Sequence, residues 1–157
     1  MNKREKRGKQ RLKAPRQKKN VGMFMDAKLI KEFLKKSNVF AVVGASRDPG
    51  KYGHKIYRDL RTAGYKVYPV NPNADEILGD KCYPSIESLP ELPQVVDLVV
   101  PPKVTNQIVK VCKKLGIKKV WMQPGSESET ALSFCKENSI EVVYGVCVMV
   151  ERRNVKS

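Results

Sequence analysis

The residues best suited to chemistry fall in one loop, Gly44-Ala45-Ser46-Arg47-Asp48-Pro49-Gly50-Lys51-Tyr52-Gly53, which follows directly on the apolar run Val39-Phe40-Ala41-Val42-Val43. Gly44 permits a tight turn at a strand's end and Ser46 offers a hydroxyl donor. Arg47 and Lys51 bring positive charge to a place where the next helix presents unpaired N–H groups. Such a set attracts an anion, and a phosphate-bearing nucleotide is the expected ligand. The dinucleotide pattern G-x-G-x-x-G is matched only weakly, since Ser46 stands where the second glycine belongs and Gly50 and Gly53 follow too late.

Other chemistry is sparse. The four cysteines, Cys82, Cys112, Cys135 and Cys147, have no Cys-x-x-Cys spacing and the one histidine is His54, so no metal site is expected. His54 has no evident partner for acid–base work and reads as a surface residue. Cys112 and Cys135 fall on helix faces and read as core, whereas Cys147 follows the last strand toward the same edge as the glycine loop. Tyr52 and Trp121 suit either stacking on a base or packing inside the protein.

Five strands and their helices must position these groups. Val39–Val43 lacks alternation, as suits a strand covered on both faces. Asp26 caps a helix to about Lys36, and a second helix, His54–Ala63, ends at Gly64. A third, Thr105–Leu115, ends at Gly116, and a fourth, Glu127–Glu137, opens on a capping box of Ser126 and Glu129. The later strands are Lys66–Val70, Val95–Val100, Lys118–Met122 and Ile140–Tyr144, with a helical turn at Ser85–Leu89. Gly145–Glu151 continues the last strand or forms an apolar loop, and the end from Arg152 is expected to fray.

This alternation predicts an α/β, Rossmann-like, doubly wound five-stranded parallel sheet with helices on both faces, in the expected strand order 3-2-1-4-5. Ligands of such sheets bind outside the carboxyl ends where the order reverses, here between the first and fourth strands. Four loops meet on that edge: Gly44–Arg47, Asn71–Asn73, the stiff turn Pro101-Pro102, and Gln123–Gly125. An NAD site calls for an acid at the end of the second strand. Asn71 stands there instead, which favours a ligand whose adenosine ribose carries phosphate.

At 157 residues one domain is expected. The net charge of +15 is uneven, since Met1–Asn20 holds ten of the 31 Lys and Arg against Glu5 alone. Residues 1–22 are therefore expected to be a basic, disordered tail and residues 23–157 the single domain. The tail suits either nucleic-acid phosphates or plain solvation, and Met23 and Met25 are alternative starts. With no signal peptide and no apolar run near the roughly 20 residues of a membrane span, the cytoplasm is the expected location and no membrane partner is expected.

Gly44-Ala45-Ser46, Pro69-Val70-Asn71-Pro72, Pro101-Pro102, Trp121-Met122-Gln123 and Cys147-Val148-Met149-Val150-Glu151, in this order, resemble the small stand-alone CoA-binding proteins. They are similar also to the CoA-binding N-terminal domain of the succinyl-CoA synthetase alpha subunit. The resemblance covers about Val39 to Arg152 and leaves out the basic tail. It implies CoA contacts from Gly44, Ala45, Ser46 and Arg47, from Asn71, Pro72 and Asn73, from Val100, Pro101 and Pro102, and from Met122, Gln123 and Pro124. The synthetase lysine that follows the second-strand proline falls near Asn73 or Ala74 here, so Arg47, Lys51 or Lys81 must replace its charge. The synthetase's phosphohistidine domain has no counterpart in this stretch.

The expectation is thus non-catalytic binding of coenzyme A, free or acylated, at the carboxyl edge of the sheet, with Lys51 and Tyr52 added to the contacts above. Partners expected are CoA itself and either a second copy or an acyl-CoA enzyme. Two alternatives are a CoA-linked thiol protein acting through Cys147, and nucleic-acid binding through the tail.

Overall fold

β1 (Val39–Val43) is buried at every position, as an unbroken apolar run requires of a strand with helices on both sides. A computed structural model describes residues 26–155 and places around it, in chain order, α1 (Ala27–Phe33), β1, α2 (Tyr52–Thr62) and β2 (Lys66–Val70). A hairpin of β3 (Glu76–Ile77) and β4 (Asp80–Lys81) follows, then a 3-10 turn (Ile86–Ser88), β5 (Val95–Leu98) and α3 (Pro102–Leu115). The chain closes with β6 (Lys119–Met122), α4 (Glu129–Glu137), β7 (Glu141–Tyr144) and α5 (Val148–Asn154). The basic segment 1–22 and the alternative starts Met23 and Met25 lie outside the described residues.

The five longer strands form one parallel sheet in the order β2-β1-β5-β6-β7, a Rossmann-like α/β arrangement. Counting only these five, the order is 2-1-3-4-5, which corrects the expected 3-2-1-4-5. β5 lies against β1, with Phe40 opposite Val95 and Val43 opposite Leu98, rather than outside β2. The cause lies in β2. Its Pro69 has no N–H to give an outer neighbour, its first three residues are exposed or half-buried, and the Pro69 carbonyl accepts from Tyr83 N (3.0 Å). β2 is therefore an edge strand, whereas β5 is buried at all four positions. The reversal falls between β1 and β5, and the crevice moves there from its expected place between the first and fourth strands.

Each face of the sheet has its own core. On one, α1, α2 and α5 bury Phe33, Phe40, Ile56, Leu60, Trp121 and Val148; on the other, α3 and α4 bury Val96, Val109, Cys112, Val120 and Cys135. Each fully buried Ile, Leu or Phe contributes about 1.5–3 kcal/mol. Trp121 belongs to this packing. It is fully buried, meets the Phe33 ring edge-on at 6.1 Å, and donates from Nε1 to Val146 O (3.0 Å), so the base-stacking option for it is excluded.

Element ends follow from single residues. Asp26 caps α1 by accepting from Lys28 N (2.9 Å). α3 starts three residues earlier than expected because Pro101 serves as its N-cap and the fixed φ of Pro102 suits the first turn. α4 is capped by Ser128, which accepts from Ala131 N (3.0 Å), while the Ser126 hydroxyl accepts from Val100 N (3.1 Å) on the ligand edge. The segment after β7 is helical, and Arg152 is held by a two-pronged ion pair with Asp59 of α2 (2.7 and 3.0 Å) rather than frayed. Among the described residues no helix is long and apolar enough to cross a membrane, and no group of three His, Cys, Asp or Glu is placed to hold a metal ion.

Candidate functional site

Two glycines lock the turn from β1 into α2. Gly44 has φ +100°, and a Cβ there would lie 2.1 Å from Val99 O. A Cβ on Gly53 would lie 2.0 Å from Gly44 O, so helix, loop and the end of β5 touch backbone to backbone. Gly50 is different, since its added Cβ would meet nothing nearer than Asp48 Oδ1 at 3.4 Å.

The loop between them is held by its own hydrogen bonds. Ser46 Oγ accepts from Asp48 N (3.0 Å) and Asp48 Oδ1 accepts from Gly50 N (2.9 Å). His54 is 5% exposed, and its Nδ1 lies 2.8 Å from Ser46 O, so that nitrogen carries the proton and donates. This corrects the reading of His54 as a surface residue. The N–H groups of Ser46, Arg47 and Tyr52 have no protein acceptor among the described residues. They, the Ser46 hydroxyl proton and the N-terminus of the eleven-residue α2 are available to an anion.

The second loop is tied to the first by Asn71, whose Nδ2 donates to Ala45 O (2.7 Å) and whose Oδ1 accepts from Asn73 N (2.8 Å). Ala45 is fully buried, so only its backbone is open to a ligand, while Pro72 and Asn73 are exposed. Pro101 and Pro102 are exposed at the start of α3, with Val100 half-buried beside Gly44. Lys51 is the exposed N-cap of α2, and Tyr52, 48% exposed, places its hydroxyl 3.7 Å from Cys147 Sγ.

The fourth loop departs from expectation. Met122 is fully buried and Gln123 is 1% exposed, so the two face the core while Pro124 is exposed. Gln123 Nε2 donates to Asp97 Oδ1 (2.7 Å), and its Oε1 accepts from Val148 N (3.2 Å). Val146 and Val148 are thus held by Trp121 and Gln123 at the end of β6, which fixes Cys147 between them beside Tyr52. Asp97 itself is fully buried, its Oδ2 has no partner, and burial raises its carboxyl to about 7 against a lowering hydrogen bond from Gln123. Sequence reasoning passed over Asp97, although a lone acid inside Val95-Val96-Asp97-Leu98-Val99-Val100 is a visible break in an apolar run. Burial likewise pushes the thiols of Cys112 and Cys135 up, to about 12 and about 11.

Beside the glycine loop opens an apolar cavity of about 310 Å³. Val43, Gly44, Val70, Asn71 and Pro72 line it from the strand ends, Val100, Val104, Ile108 and Val111 from the α3 side, and Pro84–Glu87 close it. The α3 residues and the 3-10 turn were not expected at the site. Their apolar helical spacing looks the same whether it lines a cavity or fills a core.

The family model described as a CoA binding domain matches residues 38–153. The chain is 33% identical over 124 residues to the Bacillus subtilis protein YneT, covering 77% of this chain and 90% of that one. It is 46% identical over 80 residues to acetate–CoA ligase [ADP-forming] II of Archaeoglobus fulgidus, which is half of this chain but only 12% of the ligase. Among solved structures, a conserved hypothetical protein from Pyrococcus furiosus superposes with a TM-score of 0.70 at 48% identity, over 73% of this chain and 98% of that one. A hypothetical protein from Pyrococcus horikoshii superposes with a TM-score of 0.78 at 38% identity, over 82% and 90% of the two chains. A match across the whole sheet and every loop on its carboxyl edge makes this chain a member of the CoA-binding domain family.

Proposed function

We propose that this protein binds coenzyme A or an acyl-CoA without transforming it, in the crevice at the carboxyl ends of β1, β2 and β5. The observation that carries this reading is the apolar cavity opening directly beside a loop of unengaged N–H donors. A nucleotide needs both, an apolar slot for its base and backbone donors for its phosphates. In this reading the adenine enters the cavity and the pyrophosphate lies over Gly44–Arg47 at the N-terminus of α2. The pantetheine arm then runs past Pro101 and Pro102 toward the backbone of Met122–Pro124. Ala45, Met122 and Gln123 contribute through the main chain, since their side chains are buried.

Neither His54, whose Nδ1 bonds Ser46 O, nor Asp97, whose Oδ1 bonds Gln123, has a base or nucleophile among its hydrogen-bond partners, and no catalytic pair is assigned. Acetate–CoA ligases [ADP-forming] carry a segment like this one within a longer chain, which supports a role as the CoA-holding unit of an acyl-CoA enzyme or as a free carrier. Isothermal titration tests the reading. CoA should bind at micromolar strength, NAD at least tenfold more weakly, and Val104→Trp, which fills the cavity, should abolish CoA binding in a folded protein. CoA affinity unchanged by Val104→Trp would remove the adenine from this cavity.

The half-buried Cys147, with the Tyr52 hydroxyl at 3.7 Å, favours one further reading, in which the thiol exchanges with a CoA disulfide and releases one CoA thiol. A CoA-sized mass adduct lost in Cys147→Ser would support it, and no adduct on the wild-type protein would end it.

A further inference from the structure

The CoA reading leaves the basic segment 1–20 without a role, and the charge does not stop where that segment ends. Residues 1–36 hold 14 of the 31 Lys and Arg against three of the 16 acids, so +11 of the net +15 lies in less than a quarter of the chain. Lys31, Lys35 and Lys36 carry this charge onto the folded domain, where with Leu34, Tyr65 and Arg152 they line a depression of about 300 Å³. We propose that this face, together with the basic segment, binds single-stranded nucleic acid through its phosphates and bases. The face lies apart from the CoA crevice. It sits at the amino ends of β1 and β2, whereas the glycine loop follows the carboxyl end of β1, a five-residue strand about 16 Å long.

Position comes first. Asp26 caps the seven-residue α1, about 10 Å long, and Lys31 lies in its last turn with Lys35 and Lys36 just beyond. A strand held by the segment before Asp26 is therefore close to the depression. Charge comes second. Lys31 and Lys36 have no ion-pair partner among the described residues, and Lys35 meets only the exposed Glu32 at 3.4 Å, a pair too weak to neutralise it. Complementing the dipole of α1 needs one cation near its end, and three converge here. Arg152, engaged with Asp59, forms the opposite wall.

The third observation is what adjoins the lysines. Tyr65, with Lys36 Nζ 5.1 Å from its ring centroid, lines both this depression and a second, open one of about 470 Å³ along the outer edge of β2, so the two meet there as one groove. The half-buried Tyr68 and Tyr83, their ring centroids 5.7 Å apart, lie in the second part beside Lys66 and Arg61. Lys66 pairs with Glu91 and Arg61 with Asp80, but these pairs are exposed and exchange readily for phosphate. Cations that track a backbone next to aromatic rings that accept bases suit a single strand, whose bases are free to stack. An acidic peptide would use the cations and leave the tyrosines idle.

Fluorescence anisotropy of a labelled oligothymidine of about 20 nucleotides, titrated with the full chain, tests this. Binding should be micromolar at about 50 mM salt and about 100-fold or more weaker at about 200 mM, as counterion release from about six phosphates requires. Lys31→Gln/Lys36→Gln changes two exposed side chains, so Tm and CoA affinity should stay as in the wild-type protein. The same variant should weaken oligothymidine about tenfold and reduce the slope of log affinity on log salt by about 1.4. A base-free strand of equal length, and polyglutamate of equal charge, should each bind about fivefold more weakly or worse. No binding of oligothymidine, or an affinity and slope that the double variant leaves unchanged, overturns the proposal. Equal binding of the base-free strand removes the stacking, and equal binding of polyglutamate makes the partner an acidic protein; either result also overturns it. None of these outcomes bears on CoA binding, which the separate CoA titration reads.

Discussion

Replacing Asp97 with asparagine should remove the pH dependence that this one residue imposes on stability. The carboxyl ionises near 7 in the folded protein, raised by burial, against an ordinary value of about 3.9 in an unfolded chain. Below about pH 4 both states are protonated and ionisation costs nothing. Between about pH 4 and 7 the unfolded chain ionises while the folded one does not, so unfolding is increasingly favoured. Above about pH 7 the cost levels off at about 4 kcal/mol, from the gap between the two values at about 1.36 kcal/mol per pH unit. The replacement amide would still accept from Gln123 Nε2 and would bury an N–H donor without a partner, much as the protonated carboxyl buries its O–H. Asp97→Asn should therefore lie within about 1 kcal/mol of the wild-type protein at pH 4 and be more stable by about 3–4 kcal/mol at pH 8. Urea unfolding at pH 4, 6 and 8 reads this directly, because all other titrating groups cancel between the two proteins. Parallel stability profiles would refute the reasoning and place the Asp97 carboxyl in contact with water or another polar partner. What the acid supplies in return is orientation. It holds Gln123, which holds Val148 N, and so the turn bearing Cys147.

Three other outcomes follow from the site. Gly44→Ala and Gly53→Ala should each lose about 3 kcal/mol or more, lowering Tm by about 6–12 °C, whereas Gly50→Ala should be nearly silent; thermal scans of the three variants check this. Among the four cysteines, Cys147 should react first with a thiol reagent in the native protein, since Cys82, Cys112 and Cys135 are buried, and peptide mass mapping after a short exposure identifies it. Asp59→Asn should cost about 1–3 kcal/mol and speed amide exchange in α5 more than in α3, because the Asp59–Arg152 pair ties that seven-residue helix to α2.

Much of this was legible in the residues. The unbroken Val39–Val43 run marked a central strand, Gly64 and Gly116 marked helix ends, and the four loops of the carboxyl edge could be placed by their Gly, Asn and Pro residues. Strand order was misread because the long Asn71–Gln94 connection says nothing of which side of β1 the chain returns to, though Pro69 within β2 marks an edge strand. The depth of side chains was harder still. Gln123 and His54 look like polar surface residues in one dimension, and only the folded chain shows each spending its hydrogen bonds inward. The cavity was hidden for a related reason, since Val104, Ile108 and Val111 have the spacing of any buried helix face.

The most direct test of the central claim is a map of backbone amide shifts in an isotope-labelled protein titrated with CoA. Saturable shifts should concentrate at Gly44–Tyr52, Asn71–Asn73, Val100, Val104 and Met122–Gly125, with the outer turns of α4 and the β7 strand unmoved. Shifts centred elsewhere, or none at millimolar CoA, would contradict a CoA site at the reversal between β1 and β5.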